Sequence, residues 1–137
     1  MKKRILSLVL LSVFITAVSA NNAPFKTNVK LPKTSVNSFC KLIQIGNYEA
    51  VKTLIEKGEN INKKSTGLTP LMFAARHNRA KIAELLIAHG ANLKTKSDRK
   101  GYTALKYAEM SKANDAYIVI KTAIENSNLN DLPVDEL

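Results

Sequence analysis

A single cysteine, Cys40, stands in the 137 residues, and there is no tryptophan. One thiol cannot close an intramolecular disulfide, so the fold must be held by packing alone. Aromatic residues make up only 6%, which leaves Leu, Ile, Val and Ala to build the core. There are two histidines, His77 and His89. They stand at opposite ends of one helical unit, and Cys40 belongs to another. The three or four converging ligands of a zinc site are therefore not supplied. The five glycines form no phosphate-binding loop. No carboxylate pair stands out, and Cys40 has no evident base to activate it as a nucleophile. These absences point to a chain without catalytic residues, metal or cofactor. Acid is also in short supply: 21 basic residues face 11 acidic ones, a net charge of +10.

What is present is ordinary for one globular domain: 45% hydrophobic and 23% charged residues in a chain of this length. The N-terminus has a different character. Lys2, Lys3 and Arg4 precede an apolar run from Ile5 to Val18, broken only by Ser7, Ser12 and Thr16. Val18-Ser19-Ala20 then offers the small residues of a cleavage site. The run is shorter than the roughly 20 residues a membrane-spanning helix needs. Residues 1–20 read as a secretory signal peptide, and no stable membrane anchor is expected after its removal. Losing Lys2, Lys3 and Arg4 leaves 18 basic residues against 11 acidic ones, so the mature chain stays basic at +7.

Residues 21–36 contain Pro24 and Pro32 and little periodicity, and read as an extended linker. A strand packed on the domain is the alternative. Helical patterning begins at Asn37. Ser38–Ile45 and Tyr48–Lys57 read as two short helices around the turn Gly46-Asn47, with Gly58 as the stop. The pattern returns in residues 67–92. Thr69 suits a helix N-cap and Pro70 the first helical position. Leu71, Phe73, Ala74 and Ala75 give the first helix an apolar face. Ile82, Ala83, Leu85, Leu86 and Ile87 do the same for the second, and Gly90 ends it. Leu54-Ile55-Glu56-Lys57-Gly58 and Leu86-Ile87-Ala88-His89-Gly90 are 32 residues apart. A third copy starts at Gly101-Tyr102-Thr103-Ala104-Leu105, 34 residues beyond Gly67. Its second helix is expected over 116–126, after a mid-turn, Ser111–Asp115, longer than in the other copies. The polar segment 127–137, with Pro133, is expected to be a flexible tail.

A period near 33 residues, carrying Gly-Leu-Thr-Pro-Leu-Met-Phe-Ala-Ala and then Leu-Leu-Ile-Ala-His-Gly-Ala-Asn, resembles the ankyrin repeat. The resemblance covers 37–126, in repeats of about 37–64, 67–98 and 101–126. It implies an all-α fold, a short solenoid of helix-turn-helix repeats joined by hairpin-like connectors. The family usually places His after Thr-Pro-Leu to tie repeats together. Met72 and Lys106 stand there instead, so those ties are expected to be missing. The first copy lacks Thr-Pro, and the third has Ala104 for Pro, as end repeats with one wet face allow.

The resemblance also implies a function: non-catalytic protein binding through a concave face. The contact positions it implies are Ser65, Thr66, Leu68, Arg76 and His77 in the central copy. In the third they are Arg99, Lys100, Tyr102, Met110 and Ser111. With Lys63, Lys64, Lys94 and Lys96 the connectors form a basic rim, which favours an acidic protein partner. The bland reading is a rim that only keeps the protein soluble. Nucleic acid would suit the charge, but export argues against it, and a monomer is expected. The partner implied is a periplasmic enzyme or toxin that the protein supports or inhibits. The alternative is a secreted surface adhesin or host-directed effector.

Overall fold

A computed structural model describes residues 36–131. The expected signal peptide (1–20), most of the expected linker and residues 132–137 lie outside the described residues. Six helices follow one another: α1 Ser38–Ile45, α2 Tyr48–Glu56, α3 Pro70–Arg76, α4 Ala80–Ala88, α5 Ala104–Met110 and α6 Asn114–Asn130. Among the described residues there is no extended strand; Ser65 and Leu68 form one isolated bridge. The fold is an all-α ankyrin-type solenoid.

Local chemistry sets the boundaries. Asn37 Oδ1 accepts the Cys40 N–H at 2.8 Å, and Asn47 Oδ1 accepts that of Ala50 at 3.1 Å. Thr69 and Thr103 cap α3 and α5 through their hydroxyls. Each satisfies a backbone donor that a helix start leaves free. At the far ends of α2 and α4, Gly58 and Gly90 take φ near +89°. The next N–H groups, of Glu59 and Ala91, then reach back to Leu54 and Leu86 carbonyls at 3.0 and 2.9 Å. These are Schellman closures, and they need a residue without Cβ strain at the glycine.

The inner helices α1, α3 and α5 pack side by side, and the outer helices α2, α4 and α6 back them. Pro70 through Ala75 are all buried, because α3 has neighbours on both flanks and α4 behind. Ala74, Ala75, Ala104 and Ala108 let these backbones approach closely. Ile43, Val51, Met72, Ala83, Leu86 and Ile120 are fully enclosed.

Several expectations are corrected. The mid-turn of the third repeat is no longer than that of the second. Lys112 takes a left-handed conformation (φ 54°) at the place where Asn78 does so (φ 51°), and α6 starts directly after Ala113. Ala116 and Ile120 therefore repeat Ile82 and Leu86, and all four are buried. α6 also continues past Asn126 to Asn130, so residues 127–130 are helix and not loose tail. Val36, assigned to the linker, packs against the core.

The repeats are tied together, but not where the family's histidine would act. Arg79 donates from Nε and an Nη to the Gln44 carbonyl, at 3.2 and 2.9 Å. Asn78 Oδ1 accepts the Ala116 N–H at 3.0 Å. Asn62 donates to the Gly90 carbonyl and accepts the Asn92 N–H at 2.9 Å. Mid-turns and connectors thus carry the cross-links that Met72 and Lys106 cannot.

Candidate functional site

The connectors between repeats project as fingers, and their geometry begins at Ser65. Its N–H and C=O pair with those of Leu68, at 2.8 and 3.0 Å. Thr66 and Gly67 form the tip, with φ of 52° and 85°. Two positive φ values in a two-residue loop make the primed turn that suits a hairpin. Gly67 is required twice over: a Cβ there would also meet the Asp98 side chain at 3.2 Å. Thr66 holds the same left-handed region with a β-branched side chain, which is strained.

The next finger is built on Ser97, which is buried. Its N–H donates to the Tyr102 carbonyl at 2.9 Å, and its Oγ receives the Tyr102 N–H and the Tyr107 hydroxyl, each at 3.1 Å. The two extra residues of this connector put Asp98, Arg99 and Lys100 at its tip. Asp98 joins the fingers: its N–H donates to the Gly67 carbonyl at 3.1 Å, and its carboxylate pairs with Lys64.

Between the fingers and the inner helices lies a cleft of about 800 Å³. Thr66 and Leu68 enter from one finger, Arg99 and Lys100 from the next, Arg76 from α3, and Met110 and Ser111 from the end of α5. Seven of the ten positions that the family resemblance implied thus line one cavity.

The other three expected contacts lie elsewhere. Ser65 is only 6% exposed, and its hydroxyl accepts the Asn37 N–H at 2.9 Å, holding the finger to the start of α1. His77 closes α3 as its C-cap. Burial, then the nearby Arg76 and Arg79 charges, hold its imidazole below the usual pKa. Tyr102 stands beside the cleft. Its ring meets that of Tyr107 edge to face at 5.9 Å, and the Lys100 ammonium sits 5.9 Å from its centroid.

Val36, Asp98 and Tyr107 line the cleft as well, and sequence reasoning missed them. Tyr107 occupies the register of the buried Phe73, so its position signalled core. Asp98 lies in the inserted part of the connector, where no repeat position guides the reading. The basic rim is also weaker than its composition suggests, because Lys64 is spent on Asp98.

Cys40 is fully buried, and burial, with Glu59 adding to it, pushes its thiol up to about 12. It remains a protonated packing group at any ordinary pH. Among the described residues no group of three or more His, Cys, Asp or Glu is placed to hold a metal ion. No described helix is long and apolar enough to cross a membrane.

Stacked helical hairpins with projecting fingers over a concave cleft define a repeat protein of the interaction type. The chain belongs to the ankyrin-repeat family: the pattern described as ankyrin repeats (3 copies) matches residues 39–131. Among curated proteins it is 40% identical over 76 residues to an ankyrin-repeat protein of fowlpox virus (strain NVSL), FPV031, covering 53% of this chain and 22% of that one. It is 35% identical over 89 residues to an ankyrin-repeat protein of Rickettsia bellii (strain RML369-C), covering 58% of this chain and 52% of the relative. The chain thus spans about half or less of the length of these relatives. It is also similar to a chain in the solved structure of the predatory endopeptidase Bd0816 of Bdellovibrio bacteriovorus in complex with the immunity protein Bd3460. That likeness has a TM-score of 0.60 and 31% identity, and covers 65% of this chain and 47% of that one. Proteins of this family are in general non-catalytic modules that bind other proteins.

Proposed function

We propose that this is an exported, non-catalytic protein that binds an acidic protein partner through the concave cleft. The observation that carries the reading is the convergence of Thr66, Leu68, Arg76, Arg99, Lys100, Met110 and Ser111 on one cavity. An apolar centre with a charged rim is the anatomy of a protein-binding patch. The partner we favour is an enzyme or toxin that the protein holds in check; the likeness to a chain of an endopeptidase–immunity complex supports that choice. The basic start, apolar run and Val18-Ser19-Ala20 support export, and we assign the periplasm as the compartment.

The test is capture of the native partner by the purified protein and by an Arg99→Glu/Lys100→Glu variant. Binding should weaken by about tenfold or more, a loss of at least 1.4 kcal/mol, with an unchanged circular dichroism spectrum. Equal capture would remove the cleft from the account. Cell fractionation tests the compartment: recovery only from the culture medium would replace the periplasm with full secretion.

A further inference from the structure

This inference rests on the reading of the cleft as a protein-binding surface and specifies what enters it. We propose that the cleft takes one short linear segment of the partner, an apolar side chain flanked by carboxylates, and not a broad folded face.

The cavity of about 800 Å³ falls within the range of sites that enclose a drug-sized ligand. It suits a few residues of peptide. Its apolar seat is Leu68, half-buried, and Met110, which is 51% exposed. A thioether on an unbranched chain adapts to aliphatic or aromatic shapes, so the seat accepts a large apolar side chain without fixing which one.

Charge fixes the flanks. Arg76, Arg99 and Lys100 form no ion pair among the described residues. Asp98, the one carboxylate on the lining, is neutralised by Lys64. Arg76, Arg99 and Lys100, none of them in an ion pair among the described residues, therefore line the same cleft as the apolar seat. The groove on the outer helices differs: it mixes Lys81 with Glu84 and Asp115. Charge spread only for solubility has no reason to segregate by face, whereas charge that meets carboxylates does. A nucleic-acid strand would ask for free aromatic faces on which bases stack. Here the Tyr102 and Tyr107 rings are engaged edge to face with each other, and the Tyr107 hydroxyl is tied to Ser97.

A random dodecapeptide library displayed against the purified protein tests this. The enriched peptides should carry two or more Asp or Glu beside Leu, Ile, Met or Phe. They should bind the Arg99→Glu/Lys100→Glu variant about tenfold or more weaker, and lose affinity as salt is raised. Enrichment of uncharged or basic peptides overturns the inference. So does tighter binding of a single-stranded oligonucleotide of the same length. If no peptide is enriched while the folded partner is still captured in an Arg99- and Lys100-dependent way, the linear segment falls and the cleft reading stands. If acidic peptides bind the Arg99→Glu/Lys100→Glu and Met110→Asp variants as tightly as wild type, the cleft reading falls with it.

Discussion

Thr66 and Lys112 hold left-handed backbone at φ of 52° and 54°, a region that costs a residue with a Cβ roughly 1–2 kcal/mol. Their settings differ. Thr66 is the tip of the central finger and lines the cleft, whereas Lys112 is an exposed mid-turn residue. Thr66→Asn should raise stability by about 1 kcal/mol, since Asn tolerates this region, and Lys112→Gly by about 0.5–1 kcal/mol. Urea midpoints check both. Only the first should change partner binding, because only Thr66 faces the cleft. His77 makes a pH prediction at the same scale. Its folded pKa lies below the ordinary 6.5, so between the two values the unfolded chain binds more protons than the folded one. The stability tied to its neutral form is present above about pH 6.5 and is lost as pH falls through the folded value. The urea midpoint should therefore fall from about pH 7.5 to about pH 5, and His77→Gln should flatten that slope. An unflattened slope would place the titrating group elsewhere.

At the scale of the element, neighbouring arginines of one turn do different work. Arg79 ties the second repeat to the first through the Gln44 carbonyl, while Arg76 lines the cleft and forms no ion pair among the described residues. Arg79→Ala should cost about 1.5–3 kcal/mol, whereas Arg76→Ala should leave the unfolding curve within about 0.5 kcal/mol of wild type and act on binding. Leu86, fully enclosed in α4, should cost about 2–5 kcal/mol when truncated to Ala. Much of this level was legible in the sequence, because its signals are local. Thr69 and Pro70 announced the start of α3, and Gly58 and Gly90 announced the ends of α2 and α4. The mid-turn of the third repeat was misread because lysine seldom takes the left-handed region, so Lys112 carried no signal that it stood for Asn78. The end of α6 was misread because Ser127-Asn128-Leu129-Asn130 has weak helix propensity. The helix nevertheless runs on, with Ser127 Oγ donating to the Ile124 carbonyl.

For the molecule as a whole, the described residues give the third repeat a polar outer face. The register that holds Met72 and Ala75, both buried in the second repeat, holds Lys106 and Glu109 in the third, and these form an ion pair at 2.8 Å. The cleft was legible only in part. The family resemblance points to fingers and inner helices, so Thr66, Leu68, Arg99 and Lys100 could be named, and they line the cleft. Long-range closure could not be: Ser65 is drawn inward by Asn37, and Asp98 takes Lys64 out of the free charge, across 28 and 34 residues of sequence. What remains is a cleft lined by Leu68 and Met110 together with Arg76, Arg99 and Lys100, which form no ion pair among the described residues. The central claim is that this concave side is where the partner sits. Amide hydrogen exchange of the protein, free and bound to its captured partner, tests it most directly. Protection should appear at Thr66–Leu68, Asp98–Lys100 and Met110–Ser111. Protection confined to α2, α4 and α6, with these segments unchanged, would contradict it.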